Sequence, residues 1–256
     1  MTGATSSGTS SGASSGTTPS GVSGEQAASR WVRGMFGRIA GRYDLLNHLL
    51  SFNLDKRWRA RAVERVADAL ERPGARVLDL CCGTGDVLVS LEARRGSAVF
   101  GSDFCHPMLL EARRKISERG MRSPLFEADA LALPLREDSL DLITVAFGFR
   151  NLANYHNGLA ELARVLKPGG VLAILEFSRP PNRVFGTLYR FFSTRVLPWV
   201  GGMVSGSREA YSYLPESIQK FPGALELADQ MRGAGFKDVE FEPLTCGAVA
   251  LHIGRK

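Results

Sequence analysis

Val77-Leu78-Asp79-Leu80-Cys81-Cys82-Gly83-Thr84-Gly85-Asp86 is an apolar run that ends in a Gly-x-Gly turn. A short run of branched side chains predicts a buried strand. Two glycines one residue apart let the backbone bend tightly and bring a ligand close to the main chain. The stretch that follows, residues 86–95, reads as a helix, so the ligand would lie at a helix N-terminus outside the strand's carboxyl end. A third glycine at the spacing of a dinucleotide fingerprint would fall at residue 88, which is Leu88, and acidic Asp86 opens the helix. Both features disfavour a pyrophosphate and hence NAD. A polar cofactor without phosphates suits this turn better.

Outward from the turn, β-rich runs alternate with helical patterns. The runs are RVLDL (76–80), AVFGSD (98–103), PLFEAD (124–129), LDLITVAF (140–147) and VLAILEF (171–177). Helices are predicted at 86–95, 106–119 and 155–167, the last stopped by Lys167-Pro168-Gly169-Gly170. This alternation predicts an α/β fold, a mostly parallel sheet with helices on both faces. Upstream, residues 55–71 open with Asp55 as an expected N-cap and place Trp58, Ala62, Val66 and Ala69 on one helical face. Downstream, 223–233 reads as a helix, and KDVEFEPL (237–244) with GAVALHIG (247–254) as a closing antiparallel pair.

Residues 1–24 differ in kind. Nineteen of them are Ser, Gly or Thr and none is charged, so they are expected to be disordered and to stay out of the fold. They lack the basic start and apolar stretch of a signal peptide, which points to the cytoplasm. The remaining residues, 25–256, form one domain, large enough to bury a core without disulfides or a structural metal. The four cysteines form no CxxC pair and the four histidines no close ligand spacing, so no metal is expected. Cys81 and Cys82 read as small buried residues. The most apolar stretch, residues 185–204, is interrupted by Arg190, Arg195 and Pro198, which argues against a membrane span.

Two carboxylates complete the cofactor pattern. Asp103 ends the second strand, placed to accept hydrogen bonds from two ribose hydroxyls. Asp129-Ala130 ends the third, where the carboxylate and neighbouring backbone could read an adenine edge. Together with the glycine turn, these residues resemble the class I S-adenosylmethionine-dependent methyltransferases. The resemblance implies a Rossmann-like, seven-stranded sheet with an antiparallel last strand. It implies S-adenosyl-L-methionine as cofactor, with its methionine moiety near Asp79, Gly83, Thr84 and Gly85, its ribose on Asp103 and its adenine near Asp129 and Ala130.

Further stretches narrow the match. Tyr43-Asp44-Leu45-Leu46-Asn47-His48-Leu49-Leu50-Ser51 with Trp58, and Arg164-Val165-Leu166-Lys167-Pro168-Gly169-Gly170 running on to Leu175-Glu176-Phe177-Ser178, resemble signatures of the menaquinone/ubiquinone C-methyltransferase family. Phe147-Gly148-Phe149-Arg150-Asn151 and Tyr211-Ser212-Tyr213-Leu214-Pro215-Glu216-Ser217 with Phe221-Pro222 also resemble segments of it. Departures are Leu46 for the usual methionine, Asp55 where many members have histidine, and Ala146 where some have a serine that contacts the cofactor.

This resemblance implies methylation of a ring carbon of a polyprenylated quinol. Such chemistry requires a ring hydroxyl to ionise. Arg150 and Asn151, at the carboxyl end of the fourth strand, are the expected oxyanion stabilisers. Tyr43 joins them as a catalytic candidate, with Asp44 and His48 nearby on a helical cap spanning about residues 30–72. His48 itself reads as a packed histidine. An insert at about 179–222, with its apolar stretch at 185–204, is expected to wall the quinol pocket and to touch a membrane surface at its periphery.

A net charge of +6 and the basic helix bearing Arg57, Arg59, Arg61 and Arg65 raise nucleic-acid methylation as an alternative. Against it, the fourth strand leads into Ala146-Phe147-Gly148-Phe149 rather than an Asn/Asp-Pro-Pro-aromatic tetrad, and no Pro-Cys dipeptide is present. No nucleic-acid partner is therefore expected. A non-catalytic cofactor-binding scaffold is a third reading. Demethylmenaquinol and the benzenoid precursor of ubiquinone stay open as acceptors, with menaquinone favoured, and so does the oligomeric state.

Overall fold

A computed structural model describes residues 16–182 and 208–256. Among them, seven strands form one sheet in the order β3-β2-β1-β4-β5-β7-β6. These are β1 (Val77–Leu80), β2 (Phe100–Asp103), β3 (Leu125–Glu127), β4 (Leu140–Ala146), β5 (Leu166–Phe177), β6 (Lys237–Leu244) and β7 (Val249–Arg255). β1 to β5 pair in parallel, and β7 runs antiparallel to both neighbours. The expected architecture is thus present, including the reversed last strand. The order turns back between β1 and β4, and a ligand crevice opens at such a reversal.

Helices cover both faces. α3 (Leu54–Arg65), α4 (Ala67–Leu70) and α5 (Asp86–Arg95) pack one face through Trp58, Ala62, Val66, Leu70, Leu88 and Leu91. α7 (Tyr155–Val165) and α9 (Ala224–Gly233) cover the other through Leu159, Leu162, Leu227 and Met231. α6 (His106–Glu118) packs beside β2 and β3, with Ile116 in the first cluster, while α1 (Glu25–Ile39), α2 (Tyr43–Leu50) and α8 (Arg208–Lys220) lie toward the carboxyl ends of the strands, where Val32, Met35 and Tyr213 form a third cluster with Met108 of α6.

Some boundaries differ from expectation. The helix at 55–71 is two pieces, broken at Val66 (φ −103°, ψ 6°). Asp55 is not its N-cap; Asn53 takes that position in a left-handed conformation, and Asp55 is buried in the first turn. The helix at 155–167 stops at Val165, and Lys167-Pro168-Gly169-Gly170 belongs to β5 at a register irregularity opposite Leu140 and Leu142. Residues 16–24, expected outside the fold, are in part held to it: Thr17 is 3% exposed and its N–H donates to the Leu152 carbonyl at 2.8 Å. The apolar stretch 185–204, expected to wall the acceptor pocket, lies outside the described residues.

Candidate active site

The site is built where β1 ends. Cys81, Gly83 and Gly85 all have positive φ (54°, 54° and 85°), so the chain leaves the strand in a tight left-handed bend before entering α5. A side chain at Gly85 would be strained at that φ, and its Cβ would stand 3.2 Å from the Ala112 Cβ. The loop leaving β4 approaches equally closely, since a Cβ on Gly148 would meet the Cys81 Cβ at 2.4 Å. These two bends frame a cleft that is open to solvent.

Tyr43, Gly83, Asp103, Asp129, Ala130 and Asn151 line the cleft, so six of the ten candidate residues meet there. Phe104, Met108 and Leu131 supply apolar wall. Asp103 Oδ2 accepts the Gly83 N–H and Oδ1 the Cys105 N–H, each at 2.9 Å, which fixes the carboxylate at the end of β2. Each oxygen keeps a lone pair for a diol. Burial pushes its pKa up to about 6, against the pull of these N–H donors.

The other four lie around the cleft. Asp79, on β1 ahead of the glycine turn, is 1% exposed and accepts the Thr144 hydroxyl at 2.7 Å on Oδ1, while its Oδ2 is buried without a hydrogen-bond partner among the described residues. Burial raises its pKa to about 7, opposed by the Thr144 hydrogen bond. Two buried carboxylates held toward neutrality beside one cleft are a receptacle for positive charge. S-adenosyl-L-methionine carries a sulfonium and an ammonium, so these residues fit it. Gly85 supplies the bend.

Thr84 turns from the cleft to bond Asp44, and through it ties α2 to the glycine turn. Lys115 Nζ donates to Asp44 at 2.7 Å and also bonds Asp86. Arg59 Nη1 bridges Asp55 at 2.6 Å and Asp86 at 2.9 Å, while His48 Nδ1 meets Asp55 at 2.8 Å. His48, Asp55 and Asp86 have the proximity of a metal set, but the Arg59 guanidinium already bridges the two carboxylates. His48 is thus the packed, partnered histidine expected.

Arg150 occupies a helical turn, Phe149–Asn151, just past β4 and is 4% exposed. Its Nη1 donates to the Glu176 carboxylate at 2.9 Å and to the Phe147 carbonyl, and the guanidinium lies 5.2 Å from the centre of the Phe177 ring. Its Nε is buried without a hydrogen-bond partner among the described residues. Glu176 is itself 1% exposed; burial pushes its pKa up while Arg150 pulls it down. Burial likewise raises the Tyr43 phenol, opposed by Arg150. Arg150, expected as an oxyanion stabiliser, is thus half of a buried ion pair with Glu176.

Asn151 Oδ1 accepts the Tyr213 hydroxyl at 3.0 Å, and burial pushes that phenol's pKa up to about 12. Neither Glu176 nor Tyr213 stands out in the sequence as a site residue. A carboxylate ending an apolar strand, as in Leu175-Glu176-Phe177, is the signal that could have found the first; Tyr213 reaches the site only through the packing of α8.

Comparison with known proteins agrees with this geometry. The model of the ubiE/COQ5 methyltransferase family matches residues 23–256. A demethylmenaquinone methyltransferase of Thermus thermophilus is 52% identical over 221 residues, covering 86% of this chain and 99% of that protein. A protein of the same name from Deinococcus radiodurans is 44% identical over 236 residues, covering 92% and 96%. Among solved structures, a SAM-dependent methyltransferase of Thermotoga maritima shares the fold with a TM-score of 0.61 at 21% identity, covering 87% of this chain and 98% of that one.

Proposed function

The chain belongs to the ubiE/COQ5 methyltransferase family and is a SAM-dependent methyltransferase; on that premise we propose that it methylates a ring carbon of demethylmenaquinol to give menaquinol. When bound, S-adenosyl-L-methionine supplies a methyl group already electrophilic on its sulfonium. What the protein must add is a nucleophilic ring carbon. Ionising the adjacent ring hydroxyl does this, because the oxyanion pushes electron density into the ring.

A phenol of pKa about 10 costs roughly 4 kcal/mol to ionise fully at pH 7. The observation that carries the proposal is the buried Arg150 Nε, which has no hydrogen-bond partner among the described residues. An N–H of a charged guanidinium left unbonded in the interior is costly, and an acceptor oxygen there would recover the loss. Glu176 holds the guanidinium in place and keeps the pair near neutral, so the oxyanion would be stabilised by an aimed donor more than by net charge. Asn151 Nδ2, beside it, is the second donor. Arginine stays protonated, so the proton leaves to water or another residue rather than to Arg150. Tyr43 lines the cleft 3.9 Å from where a Gly83 Cβ would be, placed to pack beside a bound methyl donor.

Incubation with methyl-labelled donor, demethylmenaquinol and the benzenoid ubiquinone precursor under reducing conditions, followed by mass spectrometry of the lipids, tests the assignment. Label is expected in menaquinol. Label in the benzenoid product alone would assign the other branch, and label in neither would refute quinol methylation.

The reading also includes peripheral contact with a membrane surface, where such an acceptor resides. No helix among the described residues is long and apolar enough to cross a membrane. Leu45 and Phe52 are 61% and 73% exposed on and just after α2, and Phe52 stands at φ 52°, an unusual backbone for a bulky residue. Residues 30–61 carry eight basic and two acidic side chains, a surplus equal to the net charge of the whole chain. Apolar tips set among cations suit an anionic bilayer.

A further inference from the structure

Gly16–Ser20 (Gly-Thr-Thr-Pro-Ser) has little apolar surface besides the buried Pro19, so specific contacts must do much of the fixing. Its hydrogen bonds to the rest of the described residues go to two places. Thr17 N–H donates to Leu152 O at 2.8 Å, and a Cβ on Gly16 would come within 1.9 Å of Ala153 O, so the segment lies flat on the loop after Asn151. Thr17 Oγ1 lies 2.7 Å from the Tyr213 hydroxyl, Ser20 Oγ donates to Glu216 at 2.7 Å, and Lys220 Nζ donates to Thr18 O at 2.7 Å, so its other side grips α8.

The central contact has a direction. Asn151 Nδ2 faces the Phe147 carbonyl at 3.5 Å, which leaves Oδ1 to accept from Tyr213. The single Tyr213 proton is then committed, and Thr17 must be the donor to the phenol oxygen. Thr17 is thereby the outermost link of a chain that sets the amide of a residue lining the cleft. Asn151, Leu152 and Ala153 all line that cleft, so the segment also backs its wall. Thr17 precedes residue 23, where the family match begins.

Resting on the acceptor-side reading above, we infer that Gly16–Ser20 is a strap that sets the acceptor site, with Thr17 a positioning residue acting on Asn151 through Tyr213.

Steady-state kinetics of full-length variants test this. Thr17→Val is expected to lower kcat/KM for demethylmenaquinol about fivefold, the scale of one lost hydrogen bond, with the dissociation constant for S-adenosyl-L-methionine unchanged. Thr17→Ser is expected to recover most of the loss, which a filler of space would not. Because Thr17 acts only through the phenol, adding Thr17→Val to Tyr213→Phe should cost nothing further. Kinetics of Thr17→Val equal to the unsubstituted chain, or losses that multiply in the double variant, would overturn the strap.

Should the unsubstituted chain methylate no quinol, the function falls separately, and hydrogen exchange decides the strap. The residue-17 amide is expected to exchange about tenfold faster in Thr17→Val. Unchanged exchange would overturn it.

Discussion

Arg150 and Glu176 form an ion pair at 2.9 Å, with side chains 5% and 1% exposed, joining the end of β5 to the loop after β4, whose Phe147, Gly148 and Asn151 line the cleft. Neither charge can be removed alone without stranding the other in a medium that solvates it poorly.

Arg150→Ala is therefore expected to lower turnover at least tenfold and to cost about 3–5 kcal/mol of stability. The stranded Glu176 would have a folded pKa raised well above its unfolded value. Such a group favours the fold at low pH and withdraws that support as pH rises. Thermal melts should thus show the variant's deficit growing from pH 5 to pH 8. Arg150→Met combined with Glu176→Gln should recover stability while turnover stays low. A deficit independent of pH would speak against the buried charge.

Cofactor affinity should depend on pH in the opposite sense. Asp79 and Asp103 have pKa values raised to about 7 and about 6 by burial. A cationic ligand lowers both, so binding must expel a proton wherever the free site holds one. Calorimetry should find affinity full near pH 8 and weaker by roughly tenfold or more at pH 6. Asp103→Asn should bind more weakly and lose part of that dependence. A flat profile would mean that the two carboxylates do not meet the ligand's charge.

Gly148→Ala tests the frame rather than the chemistry. Its Cβ would lie 2.4 Å from the Cys81 Cβ, a contact relieved only by moving the Cys81 bend or the loop that carries Arg150 and Asn151. Turnover is expected to fall more than tenfold with a stability loss of about 1–3 kcal/mol. Gly233→Ala, inside α9 where a Cβ meets nothing within 4 Å, should leave turnover unchanged and lower no stability.

Leu45→Asp with Phe52→Asp should reduce co-sedimentation with anionic liposomes while leaving methylation of a short-chain, water-soluble acceptor intact. Equal recovery of variant and unsubstituted protein would move the contact elsewhere.

The fold was legible because a parallel α/β sheet writes each strand as an apolar run and each crossover as a periodic helix; the helices at Asp86–Arg95 and His106–Glu118 fall within a residue of expectation. Breaks that depend on partners were not. Val66 interrupts its helix with no proline or glycine at the break, and Asp55 looks like a cap but is claimed by Arg59 and His48. Within the site, the glycine turn and Asp103 follow from local geometry. Glu176, Tyr213 and Thr17 matter through contacts spanning 26, 62 and 196 residues of chain, which no local pattern encodes.

The most direct test of Arg150's part is the pH dependence of kcat for the unsubstituted chain and for Arg150→Lys, with both substrates saturating. A donor aimed at the acceptor oxygen should hold kcat level down to about pH 7, and a lysine, which lacks the fixed Nε–H, should shift the rising limb upward by one to two pH units, about 1–3 kcal/mol of lost oxyanion stabilisation. Superimposable profiles that differ only in height would contradict it.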